Sequence, residues 1–130
     1  MKILIVEDEA FVALSLKFLL NTFGHEVTDI ADDLSTAIAA LDRVTPDLAL
    51  VDFQLVEGSS GLDVARELRE RSILCIFVTG NAPEQPLKHL AIGCLPKPYS
   101  DAALAGALRI AEALFAKTEP PPAPQGFELY

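Results

Sequence analysis

The sequence predicts an α/β domain, a five-stranded parallel sheet with helices packed on both of its faces. Five short apolar runs, each too short for a typical helix, alternate with segments whose apolar residues recur at spacings of three and four. Asp8, Asp52, Thr79 and Lys97 each fall at or just past the end of one of those runs. Right-handed crossovers bring the carboxyl ends of parallel strands to one edge, where open α/β sheets place their ligands. Four chemically distinct side chains therefore converge.

Lys2 to Val6, KILIV, is apolar and β-branched and reads as a buried parallel strand that runs into three acids, Glu7, Asp8 and Glu9. From Ala10 to Phe23, residues Val12, Leu16, Leu19 and Phe23 mark one helix face, and Gly24 follows where a left-handed cap belongs. Glu26 to Ile30 is a second strand. Asp32 and Asp33 can cap the next helix, with Leu34, Ala37, Ile38 and Leu41 on one side and Pro46 at its exit.

Leu48 to Asp52 is the third strand and delivers one carboxylate at its end. A loop holding Glu57, Gly58, Ser59, Ser60 and Gly61 leads to a helix that reaches about Arg71, with Leu62, Ala65 and Leu68 inward. Leu74 to Val78 is the fourth strand, followed by Thr79 and Gly80. In the next segment Pro83 and Pro86 confine any helix to a short one after Pro86. Gly93 to Leu95 is a fifth strand, then Pro96, Lys97 and Pro98; Ser100 or Asp101 caps a fifth helix through Leu104, Leu108, Ala111 and Phe115. Residues 118–130, TEPPPAPQGFELY, are proline-rich without core periodicity and read as an extended or disordered tail.

At 130 residues the chain is one domain plus that tail. No stretch approaches the roughly 20 apolar residues of a membrane span, and acids stand where a secretory signal would stay apolar, so a cytoplasmic protein without membrane contact is expected. The formal net charge of -9 repels nucleic acid and suits a site that gathers a cation. Cys75 and Cys94 lack metal-ligand or disulfide-framework spacing and read as core residues; His25 and His89 read as packing or surface residues.

Carboxylates brought together in a crevice repel one another unless a cation is bound, and hard oxygen ligands suit Mg²⁺. Glu7, Asp8 and Asp52 fit that role, although by themselves the acids after the first strand would only favour the positive end of the following helix. A carboxylate beside Mg²⁺, with a lysine and a hydroxyl around it, can attack a phosphoryl group. Asp52 would be the nucleophile, Lys97 would pair with the new phosphate, and Thr79 would hydrogen-bond it. A cis Lys97–Pro98 bond would aim the lysine over the site.

ILIVEDE at the first strand end, LALVDFQL around Asp52, FVTG at the fourth strand end and KPY after the fifth stand in order at suitable spacing. Over about residues 2 to 116 the chain resembles the receiver domain of two-component response regulators. The resemblance implies a flavodoxin-like sheet of order 2-1-3-4-5, with residues 1–117 as the receiver domain. It makes Asp52 the phosphoacceptor, Glu7 and Asp8 the acidic pair, and Gln54 the residue whose backbone carbonyl completes a Mg²⁺ site. It makes Thr79 the switch hydroxyl and Lys97 the phosphate partner. A histidine kinase or phosphotransfer protein would donate the phosphoryl group, the domain would itself catalyse the transfer and later hydrolysis, and a single-domain regulator would signal to a downstream protein or serve as a phosphate sink.

Three features depart from the family pattern. Cys94 stands where an aromatic ring usually carries the switch, Val56 replaces a proline in a loop one residue longer than usual, and two prolines occupy the usual start of the fourth helix. FVTGN with KPY resembles the receiver subgroup named for its FATGUY motif, which implies a mobile region at 81–90 in place of a rotating ring. Two other readings stay open: a receiver-like binding module that works without phosphorylation, and a flavin protein on the same fold, against which the acidic first turn and the lack of a glycine-rich phosphate loop both argue. The contact surface implied is the final helix with the segment 81–95. Self-association as a homodimer, through the tail or the small residues Ala103, Ala107 and Ala111, is a further expectation.

Overall fold

The computed structural model describes residues 1–55 and 60–130. The elements run β1 (Lys2–Val6), α1 (Ala10–Thr22), β2 (Glu26–Ala31), α2 (Leu34–Arg43), β3 (Leu48–Val51), α3 (Gly61–Glu70), β4 (Leu74–Thr79), β5 (Gly93–Pro96), α4 (Asp101–Phe115) and β6 (Glu128–Leu129). The sheet order is β2-β1-β3-β4-β5-β6, parallel through β5, with β6 added antiparallel at the edge. The fold class and the order of the first five strands agree with the expectation; the sixth strand is new.

Alternation along the strands feeds two separate cores. Ile3, Ile5, Leu48, Leu50, Ile76 and Val78 face α1 and α4, whereas Leu4, Val6, Ala49, Val51, Cys75 and Phe77 face α2 and α3. Both sides of the sheet are dry, so these three central parallel strands carry apolar residues at nearly every position. Cys75 and Cys94 are buried, unpaired thiols, and burial pushes the Cys94 thiol up to about 11.

Local chemistry sets the helix ends. Asp33 and Thr36 close a reciprocal capping box at α2 with bonds of 2.8 and 3.1 Å, and Ser60 and Ser100 cap α3 and α4. Gly24, φ +87°, turns the chain after α1. Along α4, Leu104, Leu108 and Ala111 are buried as expected, but Phe115 at the end of that stripe is 53% exposed.

Four helices are present among the described residues where five were expected. Residues 80–92 join β4 to β5 without one, because Pro83 and Pro86 remove two N–H donors and push the residues before them out of the α region. Only a single turn forms, with the N–H groups of Leu90 and Ala91 both donating to the Leu87 carbonyl. The segment 118–130, expected as an extended or disordered tail, is extended but docked: it returns along α4, buries Phe127 in the core and pairs with β5. The loop difference at Val56 lies outside the described residues.

His25 sits at the start of β2 with its side chain 7% exposed, Nε2 3.9 Å from Glu112 of α4 and Nδ1 3.0 Å from the Met1 amine. Burial, reinforced by the amine, lowers its pKa from 6.5. The folded protein thus holds it neutral, and its contribution to stability is present above about pH 6.5 and is lost as pH falls through the lower folded value. Urea midpoints of wild type minus those of His25→Gln should decline on acidification from neutral pH towards about pH 5. A flat difference would contradict this reading of His25.

Candidate functional site

Four strands end at one crevice. β1 hands the chain to Glu7 and Asp8, β3 to Asp52, and β4 ends on Thr79, while Lys97 follows β5 directly. The registers Val6↔Val51 and Thr79↔Pro96 bring these ends level, and Asp52 N–H donates to the Val6 carbonyl at 2.9 Å. Over them lies an open cavity of about 420 Å³ lined by Asp8, Asp52, Gln54, Thr79, Asn81 and Lys97 among others. All six sequence-assigned residues thus gather within or directly beside one crevice.

The ammonium of Lys97 bridges two carboxylates, with Nζ 2.5 Å from Glu7 Oε1 and 3.1 Å from Asp52 Oδ2. Glu7 is 5% exposed, and burial first of all, with the neighbouring Asp52 charge, pushes its carboxyl up to about 7 against the pull of Lys97. Asp52 goes the other way. Burial would raise it, but hydrogen bonds from Glu7, the Gln54 N–H, Thr79 and Lys97 together hold it below the usual carboxylate range. Two carboxyl groups this close push their proton affinities apart, so Glu7 binds a proton more readily than an ordinary carboxylate and Asp52 less readily. Lys97 is itself held up in pKa: burial is outweighed by its two carboxylate partners.

Oxygens of Glu7, Asp8 and Asp52 lie within 4.8 Å of one another, a hard-oxygen set that fits a small divalent cation. Thr79 is 1% exposed, and its Oγ1 accepts the Asn81 N–H at 3.1 Å. The Gln54 N–H donates to Asp52 Oδ1 at 3.1 Å. The Lys97–Pro98 bond is cis. Asn81 was missed by sequence reasoning: its side-chain amide donates to Gln54 Oε1 at 3.0 Å and ties the β3 and β4 loops together across the crevice. The only local signal was its place two residues after Thr79 in the run TGN.

A pair of acids of which Glu7 is buried, a carboxylate just past the central strand, a strand-end hydroxyl and a converging lysine on this doubly wound sheet have the arrangement of a receiver domain. The model of the response regulator receiver domain matches residues 3–109, and the chain belongs to that family. It is 34% identical over 124 residues to the phyllosphere-induced regulator PhyR of Methylorubrum extorquens, covering 88% of this chain and 43% of that protein. It is 39% identical over 112 residues to the sensory transduction protein RegX3 of Mycobacterium tuberculosis, covering 82% of this chain and 48% of that one.

Among solved structures, the response regulator PhyR from Brucella abortus superposes with a TM-score of 0.72 at 31% identity, over 89% of this chain and 48% of that one. The N-terminal domain of a response regulator/sensory box/GGDEF protein from Carboxydothermus hydrogenoformans gives 0.80 at 28% identity, over 90% and 98%. The chain spans about half the length of the curated relatives it matches. No helix among the described residues is long and apolar enough to cross a membrane.

Proposed function

We propose that this chain is a phosphoryl-accepting receiver acting in a two-component relay in the cytoplasm. Asp52 is the acceptor, and Glu7, Asp8, Asp52 and the Gln54 backbone carbonyl hold Mg²⁺. The observation that carries the reading is the Lys97 bridge: one ammonium already spans the acceptor and the buried acid, where a phosphate and a cation would need charge partners.

Mg²⁺ bound there would neutralise the acid pair and offset the charge gathering on the phosphoryl oxygens. An oxygen of Asp52, held ionised by its hydrogen bonds, attacks the phosphorus of the donor; the P–N or P–O bond to the donor breaks, and the leaving group departs with its electron pair. Lys97 then leaves the carboxylates for the new phosphate oxygens, and the Thr79 hydroxyl turns from its Asn81 contact towards them. The added phosphoryl group brings about -1.5 to -2 charge. Because Asn81 bonds both Thr79 and Gln54, the shift passes into residues 81–90, which no helix holds.

A histidine kinase or phosphotransfer protein is the donor, and a downstream protein is the target. Beside the crevice α1 presents Phe11, Leu14 and Phe18, exposed by 88, 55 and 72%, at spacings of three and four. Such a stripe suits docking against a partner helix.

Incubating the protein with acetyl phosphate and Mg²⁺ should add one phosphoryl mass to wild type and none to Asp52→Asn, read by intact mass spectrometry. Absence of the gain in wild type, or its persistence in Asp52→Asn, overturns the acceptor assignment; the former outcome supports a phosphorylation-independent binding module.

A further inference from the structure

The residues 118–130 lie on the body as a fitted part. Just past α4, Lys117 takes φ +57°, and Thr118 N–H reaches back to the Ala113 carbonyl at 2.8 Å, turning the chain along the helix it has just left. Three successive prolines, Pro120 to Pro122, then keep it extended. Gly126, φ +90°, makes the turn that sends Phe127 into the core, where it is 7% exposed. Glu128 and Leu129 pair antiparallel with Cys94 and Gly93, and Tyr130 N–H donates to the Ile92 carbonyl at 2.9 Å.

Two glycines form the seat. A Cβ on Gly93 would stand 2.3 Å from the Glu128 carbonyl oxygen and 2.6 Å from Phe127 Cζ, and one on Gly106 would stand 2.5 Å from Pro124. Without the strap, β5 would be an uncovered edge strand with backbone donors and acceptors unpaired, a ready template for another strand. The strap holds that edge through the Phe127 plug, the packing of Pro124 on Gly106, the Tyr130 bond to Ile92 and a strand of two residues, both of them exposed. Beside it remains an open groove of about 530 Å³, walled by Ile73, Leu90, Ile110 and Leu114 with Arg69 and Lys88 at its rim.

We propose that residues 118–130 are a displaceable strap, and that the β5 edge with its groove is a docking surface for an extended segment of a partner protein. The partner adds an antiparallel strand in place of β6, with an aromatic side chain in the Phe127 seat. The occupant's chemistry is read from the resident: an aromatic residue entering the core, followed by an acid and an apolar residue, as in Phe127, Glu128 and Leu129. Cations at the groove rim of a chain whose net charge is -9 favour an acidic segment there.

The probe is a fluorescent synthetic peptide of residues 123–130, APQGFELY, titrated into the full chain. In wild type the tethered strap competes at an effective concentration of about millimolar, so the peptide binds weakly. Phe127→Ala removes the plug from the strap while leaving the seat, and should bind the peptide at least ~10-fold tighter. Adding Gly93→Ala fills the seat with a Cβ and should abolish that gain. A folded Phe127→Ala chain that binds no tighter than wild type, or a gain that survives Gly93→Ala or a scrambled peptide, overturns the proposal. Wild-type hydrogen exchange tests it independently of any variant. The Tyr130 amide should exchange at least ~10-fold faster than the central β1 amide of Ile5, through opening of the strap alone. Equal exchange of the two would make the segment an integral part of the fold and sink the idea.

Discussion

Gly61→Ala is expected to destabilise the protein by about 3 kcal/mol, roughly 10 °C in Tm, and to slow phosphoryl uptake at Asp52. Helix propensity alone would give the opposite sign, since alanine is favoured over glycine by about 1 kcal/mol within a helix. Geometry decides the outcome. A Cβ at Gly61 would stand 2.2 Å from the Asp52 carbonyl oxygen and 2.6 Å from Phe53 Cα, both backbone atoms that cannot rotate away. The Gly61 N–H also donates to the Phe53 carbonyl at 2.8 Å, fastening the start of α3 to the chain just after Asp52. Relief requires either α3 or the end of β3 to shift, and the second moves the carboxylate from Lys97. Thermal melts and acetyl phosphate labelling of the same variant measure both effects. A Tm at or above wild type would show that α3 yields without strain.

The strands and the residues at their ends were legible because both are local signals. A buried run such as LALV is recognisable by composition, and the residue after it must emerge at the sheet edge. Asp52, Thr79 and Lys97 follow from that rule once the crossovers are right-handed. The bond from Lys97 to Glu7 was not legible: it joins residues 90 apart in sequence and depends on the register of strands that never pair with each other. For the same reason Glu7 and Asp8 stood on an equal footing in sequence, whereas burial singles out Glu7 and leaves Asp8 at the surface of the crevice.

The missing helix and the strap failed for different reasons. Proline signals in residues 80–92 were read as shortening a helix, and tertiary packing of Leu87, Leu90 and Ala91 was satisfied by a single turn instead. The strap has no periodicity of its own. Its fit is encoded at Gly93 and Gly106, glycines inside β5 and α4 that read individually as weak points of their elements.

Lys97→Met should reduce acetyl phosphate labelling on the order of 100-fold while tightening Mg²⁺ binding. Methionine keeps most of the stem volume, so the packing change is small and the missing charge dominates. In wild type the ammonium sits 2.5 Å from Glu7 and 3.1 Å from Asp52, and it repels a second cation drawn to the same carboxylates. Its removal leaves the acid pair without a cation, which favours the metal and disfavours the folded protein in the metal's absence. The opposite holds after transfer, when the phosphate oxygens gain no ammonium and the barrier rises by about 2.7 kcal/mol for a 100-fold loss. Mg²⁺ titration and labelling rate must therefore move in opposite directions. A variant that loses labelling together with Mg²⁺ affinity would show that Lys97 acts by holding the acidic pair in place, and one that keeps wild-type labelling would remove it from the chemistry altogether.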